Sequence, residues 1–200
     1  MSEEKRKLGD YEIIQSIYIG DKEVVFGVDK KDPYPFMVCC CDYHNPLSAA
    51  WPTEGVASDD YLEAMQIFID RVQSQIDHTK EELAKFTFDK TVFTKEHCIP
   101  DDGMRNIVGK VVVINAELKR FEYQHPAYQL ILAEGGNGAT GGRGQAVFGT
   151  CLAMGERARW ERYDVLGEIK PECMPDWAKE ALAKIRAQEK EKKQKSREER

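Results

Sequence analysis

Short apolar runs alternate with turn residues over the first forty positions. Strands are predicted at 11–19, 24–28 and 36–41, because β-branched and aromatic residues dominate these runs and favour extended backbone. Residues 20–22 and 32–35 are typical of turns. The pattern predicts an antiparallel meander. Residues 42–57 contain two prolines and show no periodicity, so they are predicted to form a loop.

Apolar residues at spacings of three and four then predict one long amphipathic helix over residues 59–86. Ser58 is the expected N-cap, followed by acidic residues that suit the positive end of the helix dipole. We expect the apolar seam to pack across the first sheet. A homodimer through helix 59–86 is the alternative, although the flanking positions show no systematic charge pairing. The seam consists of Leu62, Met65, Ile69, Val72, Ile76, Leu83 and Phe86.

The second half is predicted to be β-rich, with a glycine-dense hairpin loop at 135–145. In the strand after Gly155, Ala158 and Trp160 should face away from Arg157 and Arg159. A C-terminal helix should follow Pro175, which suits a first helical turn. Candidate strand positions are Phe88, 92–93, 107–114, 128–133, 145–152, 157–163 and 165–169, with a turn at 99–103.

These elements predict an α+β fold, mainly antiparallel sheet with one long amphipathic helix and a C-terminal helix. The expected organisation is a β-meander plus long helix at 10–86, a β-rich half at 87–183 and a charged tail at 184–200. The two halves form either separate domains or one. No run approaches the roughly 18 apolar residues of a membrane span, and the N-terminus lacks the apolar region of a secretory signal. We therefore expect a cytoplasmic protein with no membrane partner.

The net charge of −6 is unevenly distributed. Residues 184–200 carry eight Lys and Arg against four Glu, which leaves −10 for residues 1–183. An acidic body repels phosphate backbones, so the tail is interpreted as a solvated, fraying helix end. Nucleic-acid binding through this tail stays an alternative.

The six cysteines form no CxxC pair, so the spacing of a zinc site is absent. We expect them to be reduced and buried as small apolar residues, with the consecutive three pointing to alternate faces of a strand. His97 and Cys98 should point to opposite faces, and a meeting of Cys151 or one of residues 39–41 with His44 or His125 stays open. No catalytic residue, metal site or cofactor is predicted.

Two features could bind a ligand. The loop GGNGATGGRG has the backbone freedom of an anion cradle, but it lacks the lysine and hydroxyl of a phosphate loop, and a strand follows it instead of a helix. The adjacent arginines and Trp160 suit a phosphate, a carboxylate or a stacked base. The alternative is a cross-strand ladder in which Glu156, Glu161 and Asp164 neutralise the arginines. The candidate ligand-binding residues are Gly136, Asn137, Gly138, Arg143, Arg157, Arg159, Trp160 and Arg162.

Several stretches of the second half resemble a segment of uncharacterised proteins of gut Firmicutes. These stretches are GKVVVINAEL, YQLILAEGGNG, GRGQAVFGTCL, ERARWERYDVLG and KPECMPDWAKEAL, within residues 107–183. Such proteins are encoded on conjugative and integrative mobile elements, and some are large polyvalent protein-associated domains. Many relatives carry a cysteine shortly after the GG-x-G unit, where this chain has Ala139. The resemblance implies a mobile-element setting and no particular chemistry.

The sequence thus favours a non-enzymatic accessory or interaction protein of a mobile genetic element, with a protein partner that contacts the long helix or a sheet edge. One alternative is a protein or enzyme that binds a nucleotide or acidic ligand through the Gly135–Gln145 loop and the neighbouring arginines. The other is a nucleic-acid-binding accessory protein that uses the basic tail.

Overall fold

The computed structural model describes residues 6–42 and 51–198. The chain divides into two compact units, Met1–Phe86 and Thr87–Arg200. The described residues form an α+β fold with two antiparallel sheets and two α-helices, which confirms the predicted fold class. Within the described ranges, no helix combines the length and the apolar character that crossing a bilayer requires.

The first unit contains a five-stranded sheet in which each strand pairs with the next along the chain. The predicted antiparallel meander is therefore confirmed, with two more strands than expected. One long helix, α1, follows the sheet at Tyr61–Ala84. The strands are β1 Lys7–Leu8, β2 Tyr11–Ile19, β3 Lys22–Val28, β4 Phe36–Asp42 and β5 Trp51–Ser58.

The loop predicted at 42–57 is wrong where β5 lies, and its residues 43–50 fall outside the described ranges. Strand β5 is the last strand of the sheet, and its Pro52 lies opposite Cys41. An edge strand tolerates proline because one side of its backbone needs no partner. Glu54 adopts a positive φ of 56°, and the register with β4 shifts near this point. Because of the proline and the missing periodicity, the sequence pattern did not predict this irregular edge strand.

Alternation along β3 and β4 sends side chains to two sheet faces. Val24, Phe26 and Cys40 belong to the face packed by α1, whereas Cys39 and Cys41 lie on the opposite face. The three consecutive cysteines thus alternate as predicted. All six cysteines of the chain have free thiols, and five are buried; Cys173 is half-buried.

Helix α1 begins two residues later than expected. Asp60, and not Ser58, is the N-cap: its carboxylate accepts hydrogen bonds from the backbone N–H of Leu62 at 2.7 Å and of Glu63 at 3.1 Å. The hydroxyl of Ser58 instead donates to the Glu63 carboxylate and accepts from the backbone N–H of Asp60. Ser and Asp are both favoured at N-caps, so residue type alone does not show which position caps the helix.

The helix packs on the sheet as predicted, but the predicted seam is not its most buried line. Its buried residues are Ala64, Phe68, Gln75 and Thr79. The Phe68 ring meets Phe26 edge to face, with centroids 6.0 Å apart. Burial of the two polar residues is compensated by hydrogen bonds, from Gln75 Nε2 to Asp21 at 2.8 Å and from Thr79 Oγ1 to the Gln75 carbonyl at 2.8 Å.

The second unit contains a six-stranded antiparallel sheet with the order β10-β9-β8-β7-β11-β6. The last strand in sequence, β11, lies inside the sheet between β7 and β6. A C-terminal helix, α2, spans Asp176–Glu198 and includes most of the charged tail. The strands are β6 Cys98–Pro100, β7 Val111–Ile114, β8 Leu130–Gly135, β9 Ala146–Cys151, β10 Arg157–Glu161 and β11 Val165–Ile169.

Two strand predictions in this unit are wrong. Phe88 and residues 92–93 form no strand; the Gln129 side chain binds both the N–H and the carbonyl of Phe93, at 2.8 and 3.0 Å, in place of a neighbouring strand. Of the strand predicted at 107–114, only Val111–Ile114 (β7) forms a strand. Gly109 has a φ of 80° and turns the chain, so the buried Ile107 bonds to the glycine loop instead of to β8.

Apolar groups pack against part of each face of the second sheet. On one face, α2 packs through Trp177, Ala178 and neighbouring residues against side chains of β6, β7, β8 and β11. On the other, Ile107 and Ala139 pack over a cluster that includes Val147 and Trp160. The Ala139 side chain of the glycine-dense loop is therefore part of the core of this unit.

Candidate functional site

The glycine-dense segment is the connection of a hairpin, because β8 and β9 pair antiparallel on either side of it. This confirms the sequence prediction of a hairpin loop. The loop is folded on itself by backbone hydrogen bonds. The N–H groups of Gly138, Thr140 and Gly142 donate to the carbonyls of Ala146, Gly136 and Asn137 at 2.9, 3.1 and 3.0 Å. These three amides are committed inside the loop, so they are not presented to an anion as a phosphate cradle requires.

Two of the glycines are required by close backbone contacts. At Gly136, with φ of 105°, a Cβ atom would lie 2.2 Å from the Ala146 carbonyl oxygen. At Gly141, with φ of 74°, it would lie 2.1 Å from the carbonyl oxygen of Met104. No side chain fits at either position without a backbone shift. The glycine density therefore serves loop packing, including packing against the segment that precedes β7.

Arg162, which follows β10, lies beneath this loop with a side chain only 5% exposed. Its Nε donates to Asp101 Oδ2 at 2.6 Å, and its Nη2 donates to Asp101 Oδ1. Nη1 donates to the Gly138 carbonyl at 2.7 Å, and Nη2 also donates to the Arg105 carbonyl at 2.8 Å. Four of its five N–H groups therefore serve internal contacts. This arginine ties the hairpin loop to the turn after β6.

Arg157 lies on the opposite face of the sheet and pairs with Glu134 of β8. Its Nε is 2.9 Å from Glu134 Oε2, and Thr150 Oγ1 donates to Oε1 of the same carboxylate at 2.7 Å. Burial alone would raise the pKa of Glu134, but the hydrogen bonds from Arg157 and Thr150 outweigh burial and hold the pKa below its ordinary value. The carboxylate stays charged and neutralises the arginine.

Arg159 lies opposite Phe148 on β9 and forms a 2.5 Å ion pair with Glu161. Trp160 packs against the core cluster on the other face, as its alternation with the arginines predicts. Glu161 therefore neutralises an arginine as the ladder alternative predicts, but the pair lies within β10 and not across two strands. The other carboxylates are Glu134 and Asp101 rather than Glu156 and Asp164; the Asp164 carboxylate accepts the Glu161 backbone N–H at 2.8 Å instead.

The structure brings only some candidate residues together. Gly138 and Arg162 are in contact, whereas Arg157 and Arg159 lie on the opposite sheet face. Asn137 and Arg143 are exposed loop residues. Asp101 and Glu134 were missed because their arginine partners are 61 and 23 residues away, and no local pattern reports such pairs. Ligand binding by these residues stays a prediction.

Arg157 and Arg159 belong to a surface that we call the open shelf. The open shelf comprises Glu134, Phe148, Thr150, Arg157, Arg159 and Glu161. It continues the sheet face on which α2 packs, because Thr150 lies opposite Leu132, which belongs to the α2 cluster. Its exposed members include Phe148, with 48% of its surface accessible. The shelf therefore presents an aromatic ring between two arginine–glutamate pairs.

Cys151 and His125 lie in the interior of this unit. Cys151 Sγ donates to the Ala127 carbonyl at 3.1 Å, and His125 Nδ1 accepts the Ala127 N–H at 3.2 Å. Burial raises the pKa of Cys151 and lowers that of His125. A neutral thiol that donates to a carbonyl is a weak nucleophile at neutral pH, because the thiolate is the reactive form. His44 lies outside the described ranges.

Over residues 6–42 and 51–198, no group of three or more His, Cys, Asp or Glu side chains is arranged to hold a metal ion. The resemblance of residues 107–183 to mobile-element proteins stays a prediction. Comparison of the chain with protein-family models, with curated proteins and with solved structures finds no match.

Proposed function

We propose that the protein is a non-enzymatic interaction protein that contacts a protein partner through the open shelf and the adjoining edge strand β10. The observation that carries this proposal is the uncovered β9–β10 end of the sheet face on which α2 packs. There Phe148 is 48% exposed beside the exposed strand β10. An exposed aromatic residue flanked by arginines is the composition that protein interfaces favour.

The edge of the sheet supports the same conclusion. β10 is the terminal strand and pairs with β9 alone among the described strands. The opposite edge strand, β6, has only three residues and ends in Pro100, which limits further pairing. β10 has five residues and no proline. An extended segment of a partner can therefore add to β10 by backbone hydrogen bonds while its side chains reach the shelf.

Charge on the shelf favours a protein over a small anion. Arg157 pairs with Glu134 and Arg159 pairs with Glu161, so the two positive charges are balanced by two negative ones. A phosphate or free carboxylate would have to displace a neighbouring carboxylate from each arginine. A protein surface can instead supply groups of both signs to these pairs.

The proposed setting is the cytoplasm of a cell that carries a mobile genetic element; the sequence resemblance implies the mobile element. Two other functions remain as alternatives. A small-ligand protein would use the Gly135–Gln145 loop and the neighbouring arginines. A nucleic-acid-binding protein would use the basic tail at 184–200, which includes the exposed Lys184, Arg186 and Lys190 of α2.

The experiment compares proteins that co-purify with the wild-type chain and with shelf variants. Phe148→Asp and Arg159→Glu should each lose one partner that the wild type retains. Tyr163→Asp is the matched control, because Tyr163 is 74% exposed but lies beyond β10. The partner is then purified, and its affinity for each chain is measured by calorimetry. We expect the shelf variants to bind at least about tenfold more weakly, a cost of about 1.4 kcal/mol.

Equal affinity of all chains for that partner would contradict the proposal. Thermal stabilisation by a nucleotide that Arg143→Glu abolishes would favour the small-ligand alternative. A steeply salt-dependent DNA mobility shift that disappears when residues 184–200 are deleted would favour nucleic-acid binding.

A further inference from the structure

One flank of α1 carries an apolar residue at every seventh position, beside the face that packs on the sheet. These residues are Leu62, Ile69, Ile76 and Leu83. Leu62 is 75% exposed and Ile69 is 51% exposed, although both are fully apolar. Seven residues of α-helix rise by about 10.5 Å and nearly complete two turns, so the residues form a row along the helix. A second helix matches this spacing, because coiled-coil contacts recur every seven residues.

An acidic residue follows each of the first three members of the row: Glu63, Asp70 and Asp77. Gln66 Nε2 donates to Asp70 Oδ1 at 2.8 Å, and Gln73 Nε2 donates to Asp77 Oδ2 at 2.9 Å. These neutral amides orient the two carboxylates and leave their charge in place. The apolar row is therefore bordered by an ordered acidic row with the same repeat.

Few basic groups accompany this border. Arg71 directs Nη1 to the Val38 carbonyl at 3.0 Å, and Lys80 lies 3.6 Å from Asp77. Residues 59–77 contain five acidic residues and one basic residue. The excess extends over the whole unit: residues 1–86 carry 17 acidic and 9 basic residues, a net charge of −8, which leaves +2 for residues 87–200.

We propose that this flank of α1 is the docking site for an amphipathic helix of another protein, with apolar residues at seven-residue spacing and Lys or Arg beside them. The apolar row supplies the contact area, and the acidic row selects a basic partner. A second copy of this chain fits less well, because antiparallel pairing of two such flanks sets acidic row against acidic row. The site is independent of the open shelf, since Ile69 and Phe148 belong to different units.

The test uses the full chain and a synthetic helical peptide of about three heptads, with leucine in the apolar row and lysine beside it. A second peptide has the same composition in scrambled order, and a third has glutamate in place of lysine. Binding is measured by fluorescence anisotropy at increasing salt. We expect only the first peptide to bind, with an affinity that falls as salt screens the charges.

Two chain variants locate the site. Ile69→Lys places a charge in the apolar row, and Ser74→Lys makes the same change at another exposed position of α1. Both positions are solvent-exposed, so circular dichroism should show an unchanged fold. We expect Ile69→Lys to weaken peptide binding by about tenfold or more and Ser74→Lys to change it by less than about twofold.

Three results would overturn the proposal: no binding of the first peptide, equal binding of the scrambled peptide, or equal weakening by both variants. Sedimentation analysis adds a fourth. A wild-type dimer that Ile69→Lys converts to a monomer would identify a second copy as the occupant.

Discussion

The guanidinium of Arg162 and the carboxylate of Asp101 form a two-point ion pair across 61 residues of sequence, with Nε 2.6 Å from Oδ2. Their side chains are 5% and 8% exposed. The same guanidinium binds the carbonyls of Gly138 and Arg105, so one side chain joins the end of β10, the hairpin loop and the turn after β6. This geometry assigns Arg162 a structural role.

Replacement of Arg162 should destabilise the protein strongly. Arg162→Leu leaves the Asp101 carboxylate buried without its cation, and removal of one partner of a buried pair costs about 3–5 kcal/mol. Urea denaturation followed by circular dichroism measures this loss. Arg157→Leu is the matched control, because Arg157 is 77% exposed and its loss should cost less than the loss of the buried Arg162.

A double variant separates the ion pair from packing. Asp101→Leu combined with Arg162→Leu removes both charges and should be less destabilised than Arg162→Leu alone. Equal losses in the single and double variants would show that the carboxylate is not the source of the cost.

Alanine substitutions at three glycines should separate the cost of a steric clash from the cost of a positive φ. Gly141→Ala introduces both a positive-φ strain and a 2.1 Å approach to Met104 O, whereas Gly155→Ala at φ of 72° meets no atom within 4 Å. Gly142 has room for a Cβ, with its nearest atoms at 3.5 Å. We expect Gly142→Ala to be nearly neutral, Gly155→Ala to cost about 1–2 kcal/mol, and Gly141→Ala to cost more. Thermal denaturation measures the order; similar midpoints for Gly141→Ala and Gly142→Ala would refute it.

The N-cap assignment is tested at two adjacent aspartates. Asp60→Ala removes the acceptor for the N–H groups of Leu62 and Glu63 and should cost about 1 kcal/mol. Asp59→Ala removes a similar charge one residue earlier and should cost less. Unfolding free energies measured by urea titration decide between them, and a larger loss at Asp59 would show that the cap is misassigned.

The stability of the folded protein should depend on pH through the titration of Glu134. Its pKa is held below the ordinary value of 4.5 in the folded chain, since the Arg157 and Thr150 bonds outweigh burial. Its contribution is therefore present above that value and is lost as pH falls through the lower, folded pKa. We expect wild type to exceed Glu134→Gln in stability at neutral pH, with a gap that closes in acid. A pH-independent gap would contradict the assignment.

Cys173 should react faster than the other five thiols of the native protein. It is half-buried, whereas the other five cysteines are buried, and burial raises the pKa of Cys39 to about 12. A disulfide reagent at neutral pH should therefore modify one thiol quickly and five slowly in the native protein. Cys173→Ser should remove the fast phase, and a fast phase that survives this change would contradict the burial pattern.

Local pattern was sufficient for much of the fold. The β-branched runs of β2, β3 and β4 and the spacing of α1 predicted one sheet with a helix across it. Strand β5 was missed because Pro52 is acceptable only once the strand is known to be an edge. The most buried line of α1 differs from the predicted apolar seam. It includes Gln75 and Thr79, which are buried through hydrogen bonds that depend on tertiary contacts.

The site was less accessible to sequence reasoning. Alternation correctly separated Trp160 from Arg159, since a strand dictates opposite faces. The carboxylates that pair with Arg157 and Arg162 lie 23 and 61 residues away, so no local pattern identifies them. Arg162 was grouped with the exposed arginines although it is 4% exposed, because residue type does not distinguish a buried guanidinium from a solvated one.

The position of β11 has a consequence for how a newly made chain folds. In the first unit each strand pairs with its sequence neighbour, so that sheet can form while the ribosome is still translating the second half. β6 and one side of β7 must wait for β11, which begins 65 residues after β6 ends. At about 5–20 residues per second this takes several seconds. During that interval Val111–Ile114, the most apolar strand of the unit, keeps an unpaired edge. This edge can bind a chaperone or pair with another chain and so start aggregation.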